Sequence, residues 1–247
     1  SEMCIRDRDC EGHLKRLNRS LFKLKMKSPL SEGALRQIMA RLTRLNRLKT
    51  GTIYIQITRG VARRDHSFPI HSRPSLVMTV KHMSLDTGRQ LAGKSAITVP
   101  DKRWDRRDIK TIQLLPNCLA KQAASEKGAY EAIMVMPDGL VSEGSSSNVW
   151  ILNNENQLIT RQPDEDILNG ITRQSIQRIA GERQMEIVER PFSVAEMMQA
   201  KEVFVTSATS MVTALTHIDG KKIDEGKVGL IASALKADYI EYVETCI

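Results

Sequence analysis

The sequence predicts a two-domain α+β protein, with a small N-terminal α/β part in which helices and strands alternate and a larger C-terminal part dominated by strands. Three observations lead to that class. A chain of 247 residues that is 41% apolar and 27% charged can bury one or two real cores. Apolar residues recur at helical spacing in the first 50 residues, whereas many later segments alternate or run as short apolar stretches between turn residues. Between these regimes, residues 84–93, SLDTGRQLAG, collect glycine and polar residues. That places the boundary there, with residues 1–85 as the small domain and 86–247 as the large one.

Residues 1–9, SEMCIRDRD, show no helix or strand period and are expected to be a cloning or assembly scar or a frayed end. From Glu11 onward Leu14, Leu17, Leu21 and Leu24 fall on one helical face. Ser31 is the expected N-cap of a second helix whose buried stripe is Leu35, Ile38, Met39, Leu42 and Leu45. Ile53, Ile55 and Ile57 alternate with Tyr54 and Gln56 in a half-buried strand over 52–58, and another strand is expected over 75–83. In the larger part strands are expected over 95–99, 130–136, 148–152, 157–160, 185–188 and 203–205, with helices over 114–126, from Asn169 to about 180, over 194–200 and over 227–242. Pro137-Asp138-Gly139 and Asp219-Gly220 supply turns.

Net charge is +8, and residues 1–50 hold 13 Lys and Arg against 5 Asp and Glu, which accounts for the surplus. A basic helical pair could bind nucleic acid. Here the cations are spread round helices with regular apolar positions and no aromatic stacking platform, so they are expected to be solvated faces with no nucleic-acid partner. No run approaches the roughly 18 apolar residues of a membrane span, and no secretory signal is visible. Cys4, Cys10, Cys118 and Cys246 are scattered without metal-ligand spacing, which favours a reduced, cytoplasmic setting and no metal site.

Several residues carry both an ordinary and a chemical reading. Lys110, in Asp108-Ile109-Lys110-Thr111-Ile112 near the end of a short extended run, is placed opposite Ile109 by alternation, where most lysines are solvated. Partly desolvated and flanked by Arg106 and Arg107, its charged form would be disfavoured, leaving a nucleophilic amine able to form a Schiff base. Glu143 enters the glycine-serine turn of VSEGSSSNV, which is either a plain loop or a place where backbone approaches a ligand. The loop VARRDHSFP sets Arg64 and His66 about Asp65, as an exposed basic loop or as a trap for a carboxylate. Ile171 and Thr172 open a helix after Gly170, where free N–H groups and the helix dipole can receive an anion, although many helices begin this way. Arg16 lies beside the leucine stripe, and Ser207 and Ala208 lie in the hydroxyl-rich segment TSATS.

In order along the chain, RRDIKTIQLLPNCLAKQ, GAYEAI and SEGSSSNVW resemble the D-amino-acid (D-alanine) aminotransferases of the fold-type IV class of pyridoxal-phosphate (PLP) enzymes. The similarity runs over nearly all the chain from Gly12. The resemblance implies a two-domain fold with PLP between the domains, bound covalently by Lys110, with Glu143 facing the pyridine nitrogen. EGHLKRLNRSL, LNGITR and TSATS are similar to the family's phosphate-binding segments, which implies phosphate contacts from Arg16, from Ile171 and Thr172, and from Ser207 and Ala208. Arg64-Asp65-His66, after a strand ending TRG and before Phe-Pro, resembles an Arg-x-His pair that binds the substrate carboxylate in the partner subunit's site, which implies a homodimer. The implied reaction moves an amino group between a D-amino acid of the D-alanine type and a 2-oxo acid such as 2-oxoglutarate or pyruvate.

Departures from the pattern are Met211, where the family often has an acid or aromatic, and Ala214, where it has proline. The family's FGDGVYE-like strand, whose tyrosine reaches the carboxylate, has no counterpart before Glu11. Two strands of the small domain are therefore expected to be absent, and the chain to be weakly active or poorly soluble. Branched-chain aminotransferases and aminodeoxychorismate lyases share the fold class without typically showing the Arg-x-His pair. They remain alternatives, with R-selective amine transaminases and an inactive PLP-binding protein.

Overall fold

The computed structural model describes residues 9–83 and 92–245, so most of the expected connection at 84–93 lies outside the described residues. The chain divides into two compact units, Ser1–Asp86 and Thr87–Ile247.

The first unit holds α1 (Cys10–Lys23), α2 (Glu32–Leu45), β1 (Gly51–Thr58) and β2 (Ser75–His82). Both helices precede both strands, so the expected alternation of the two types is not what the chain does. Their apolar faces follow the sequence pattern at Leu14, Leu35 and Met39, which are buried with Leu17, Ile53, Ile55, Leu76 and Met78 packed against them, but Leu45, expected in the buried stripe, is exposed at the last residue of α2. Ser31 caps α2, its hydroxyl accepting from the Ala34 N–H at 3.3 Å. β1 and β2 pair antiparallel along their whole length, from Gly51 opposite His82 to Thr58 opposite Ser75.

The second unit contains β3 (Lys94–Pro100), α3 (Leu115–Glu126), β4 (Glu131–Val135), β5 (Val141–Gly144), β6 (Asn148–Leu152), β7 (Leu158–Thr160), α4 (Ile171–Glu182), β8 (Ile187–Glu189), α5 (Val194–Met198), β9 (Glu202–Ser207), β10 (Met211–Ile218), β11 (Lys221–Lys222) and α6 (Leu230–Thr245). Its sheet runs β5-β4-β3-β10-β9-β6-β7-β8, with β11 paired to β10. β3 is parallel to both β4 and β10, and β7 to β8, while the remaining pairs are antiparallel.

Alternation sorts the central strands into two faces. Val149 and Ile151 of β6 and Val203 and Val205 of β9 join Val141, Leu215 and Phe192 in the main core. Asn148, Trp150, Phe204 and Thr206 point the other way, where Trp150 stacks on Phe204 and donates to the Thr206 hydroxyl at 3.0 Å. β3 and β4 are covered by α3, whose small Ala120 and Ala124 lie against Ile97, Ala132 and Met134.

Four local expectations are corrected. Lys110 is not on an extended run: the Ile109 N–H donates to the Arg106 carbonyl at 3.2 Å, closing a turn just before it, yet Ile109 is buried and Lys110 exposed. β5 stands where part of a turn is expected, because Ser-Glu-Gly carries little strand propensity. β10 lies hidden behind the hydroxyl-rich segment that precedes it. Finally, α6 starts at Leu230 rather than 227, since the buried Glu202 of β9 accepts the Ile231 and Ala232 N–H groups at 2.9 and 2.8 Å and caps the helix from outside it.

Candidate active site

Glu143 sits where β5 departs from regular pairing. Ile133 faces Gly144 and Val135 faces Val141, so β5 advances three residues while β4 advances two. The extra residue makes a bulge, which re-aims side chains. Ser142 and Glu143 consequently both reach Arg103 on the loop after β3.

The Glu143 side chain is 7% exposed, and both of its oxygens accept hydrogen bonds. Oε1 accepts from Arg103, while Oε2 accepts from Asn148 Nδ2 at 3.1 Å and from the Leu168 N–H at 3.1 Å. Burial pushes this carboxyl above the usual range, and the Arg103 guanidinium pulls against that. Arg103 is itself held by Asp101, through Nη2 to Oδ2 at 2.7 Å and Nε to Oδ1 at 3.0 Å. Asp101 also accepts from the Ser142 hydroxyl at 2.7 Å and lies 3.3 Å from Arg107 Nε. Burial acts to raise the Asp101 carboxyl, but the Arg103 guanidinium and the Ser142 hydroxyl outweigh it and leave it at about 2.

The glycine-serine turn is held from beneath. Buried Glu131 accepts from the hydroxyls of Ser145 and Ser147, and Asn117 Nδ2 donates to the Ser145 carbonyl at 2.8 Å. Across the turn, Asn148 Nδ2 also donates to the Leu168 carbonyl at 2.9 Å. Its Oδ1 lies so near Gly170 that a Cβ there would come within 2.1 Å of it. Gly170 is the N-cap of α4 and has no side chain with which to satisfy that helix end. Thr172 is buried in the first turn of α4. Asn148 pairs with Thr206 across β6 and β9, so Ser207 and the start of its hydroxyl turn follow one residue on. In that turn the Ser207 and Ser210 hydroxyls are 2.6 Å apart, and the Ser210 N–H donates to Ser207 Oγ. Met211, which closes it, is buried with a left-handed φ of 56°.

Thus Glu143, Asn148, the α4 N-terminus with Ile171 and Thr172, and the end of β9 with Ser207 form one neighbourhood. Lys110 lies on the loop that Arg107 ties down, through its N–H to the Glu165 carbonyl at 3.0 Å and its guanidinium to Asp166 at 3.0 Å. Arg106 and Arg107 do not act on Lys110 as bare charges, because Arg106 is paired with Asp108 and Glu165, and Arg107 with Asp101 and Asp166. Arg16, Arg64 and His66 belong to the first unit. Arg16 is half-buried on α1, next to His13 at 3.4 Å, and Arg64 and His66 are exposed in the loop between β1 and β2. Asp65 turns that loop by accepting the His66 N–H at 2.6 Å and the Ser67 N–H at 3.3 Å. Sequence reasoning missed Asp101, Arg103, Glu131 and Asn148. The one cue was an Asp-x-Arg at the exit of a strand, which reads as ordinary surface charge.

The donor set suits PLP. An uncapped helix N-terminus beside serine and threonine hydroxyls matches a phosphate, and a buried carboxylate with one oxygen taking a single hydrogen bond matches a protonated ring nitrogen. Among the described residues no group of His, Cys, Asp and Glu could hold a metal ion, and no helix is long and apolar enough to cross a membrane.

A strand-rich sheet that presents a buried glutamate next to an anion cradle defines a class of cofactor-binding enzymes, and the comparisons specify it. Residues 8–218 match the model of the family described as Amino-transferase class IV, and the chain belongs to that family. It is 37% identical over 219 residues to the D-alanine aminotransferase of Bacillus licheniformis, covering 89% of this chain and 77% of that one. It is also 37% identical over 234 residues to that of Staphylococcus aureus (strain N315), covering 94% and 82%. Among solved structures it is similar to the T.th. branched-chain amino acid aminotransferase with pyridoxamine 5'-phosphate, with a TM-score of 0.86 and 26% identity over 96% of this chain and 80% of that one. The Escherichia coli branched-chain enzyme, at TM-score 0.79 and 22% identity over 92% and 76%, shares the fold.

Proposed function

We propose that this chain is a PLP-dependent aminotransferase that moves an amino group between a D-amino acid of the D-alanine type and a 2-oxo acid such as 2-oxoglutarate or pyruvate. The observation that carries the proposal is the environment of Glu143, a buried carboxylate fixed by three donors beside an open helix N-terminus. Identity of 37% to D-alanine aminotransferases supports the substrate class.

PLP supplies an electron sink for the negative charge that develops at the amino acid's α carbon. Lys110 Nζ would be the amine that anchors the cofactor, and as a free amine it would be the base that moves the α proton. Glu143 would keep a proton on the ring nitrogen, with Oε1 the oxygen that has an acceptor site left. The Ile171 and Thr172 end of α4 would bind the phosphate together with Ser207 and Ala208, and Arg16 is a further candidate that only the resemblance of EGHLKRLNRSL supports. Arg64 offers a planar fork to the substrate carboxylate and His66 a further donor. Both stand exposed on their loop, as a pair serving a second copy in a homodimer would, and the cytoplasm is the proposed compartment.

Purified protein given PLP is expected to develop a visible absorbance band that D-alanine discharges and a 2-oxo acid restores. Borohydride reduction followed by peptide mapping is expected to place the pyridoxyl group on Lys110. A label on another lysine, or a band that answers to L-leucine and not to D-alanine, would sink the corresponding part of the proposal.

A further inference from the structure

We propose that Asp101 and Arg103 are positioning residues that form, with Glu143, a buried line of three charges whose net single negative charge holds the proton on the cofactor's ring nitrogen. The inference rests on the assignment of Glu143 to that nitrogen. The Arg103 guanidinium stands between the two carboxylates and bonds both. Its side chain and that of Glu143 are each 7% exposed and that of Asp101 is 0% exposed, so solvent screens little of their mutual field.

Two consequences follow from charge counting. Glu143 with Arg103 alone would be a neutral pair, and Arg103 would oppose a cation on the ring nitrogen. Asp101 offsets Arg103 and returns the group to one negative charge. The next shell does not alter the balance. Arg107 faces Asp101 and Asp166, and Arg161 faces Asp166 and Asp164, so that outside the line itself the two arginines are matched by Asp164 and Asp166. Glu143 otherwise faces only uncharged donors in the hydrogen bonds described, Asn148 and the Leu168 N–H. These two fill Oε2, whereas Oε1 takes Arg103 alone and keeps an acceptor site. The guanidinium thus also decides which oxygen is presented.

The test is the pH at which the ring nitrogen of bound PLP loses its proton, read by NMR from holoenzyme reconstituted with isotopically labelled cofactor. D101N is expected to lower that pH by about one unit, the usual size for removal of a charge within a few ångströms. R103M is expected to raise it, the double variant D101N/R103M to return towards wild type, and R103K to stay near wild type. A merely structural network would give shifts of one sign, because every variant would loosen Glu143. Shifts of one sign, or none while E143Q moves the signal, would overturn the proposal. If E143Q itself leaves the nitrogen unmoved, the assignment of Glu143 falls instead. Should D101N fail to fold, R103M against D101N/R103M reads the same Asp101 charge. Should R103M fail, D101N against R103K and wild type does so.

Discussion

At the scale of single residues, the site depends on charges whose neighbours are known. Glu143→Gln keeps the shape and the Asn148 and Leu168 bonds within reach but removes the charge proposed to hold a proton on the ring nitrogen. PLP retention is expected to be largely intact, because the proposed phosphate ligands on α4 and after β9 are untouched. The rate of the D-alanine half-reaction is expected to fall by about ten- to a thousandfold, at about 1.36 kcal/mol per tenfold. Single-turnover absorbance measures it, and an unchanged rate removes Glu143 from the chemistry. Arg64→Ala should leave PLP absorbance alone and raise the KM for D-alanine tenfold or more, since a lost charge-assisted contact costs about 1.5–3 kcal/mol. Steady-state kinetics against D-alanine and an amine lacking the carboxylate separates the two, because only the first should respond. Lys110 and Glu143 stand out as candidates because long motifs surround them, not because their own positions announce chemistry. Asp101 and Arg103 were not legible, since sequence shows that a residue is charged but not that it is buried.

At the scale of elements, periodicity carried most of the fold. The leucine face of α1, the Ser31 cap and the isoleucine alternation of β1 stand where the spacing places them, whereas the stripe of α2 is buried at Leu35 and Met39 but ends before Leu45, which is exposed. What escaped were elements set by tertiary contact. β5 is a strand because β4 pairs with it, and its bulge, invisible in VSEG, brings Ser142 and Glu143 to one arginine. The start of α6 is set by Glu202, about 30 residues upstream, beyond the reach of any local cap rule. The junction between β6 and α4 offers a direct test. Gly170 has φ −65° and ψ 139°, a conformation open to any residue, so its glycine is needed for space and not for backbone freedom. A Cβ would meet Asn148 Oδ1 at 2.1 Å, and Asn148 cannot swing aside without releasing Glu143 and the Leu168 carbonyl. Gly170→Ala is therefore expected to cost about 1–3 kcal/mol of stability, as overpacking does, and to weaken PLP binding as well. Denaturant melts and cofactor titration check both, and a neutral substitution would show that Asn148 has room to move.

At the scale of the molecule, the proposed PLP ligands Lys110, Glu143, Ile171, Thr172, Ser207 and Ala208 all belong to the second unit, whereas Arg16, Arg64 and His66 belong to the first. Cofactor binding is therefore expected to stabilise the second unit by mass action. Ligand at about a hundred times its dissociation constant adds about 2.7 kcal/mol to the folded state if the unfolded chain does not bind it. Pyridoxamine 5'-phosphate, which has an amine in place of the carbonyl and cannot bond covalently to Lys110, should stabilise through the phosphate cradle and Glu143 alone. The gap between the two cofactors then measures what Lys110 adds, and Lys110→Ala should close it, leaving both with the smaller effect. Differential scanning calorimetry across a cofactor series gives the comparison in one set of experiments. If PLP stabilises the Lys110→Ala protein as strongly as wild type, Lys110 is not the covalent anchor. If pyridoxamine 5'-phosphate has no effect on wild type, the α4 and β9 ends do not hold the phosphate.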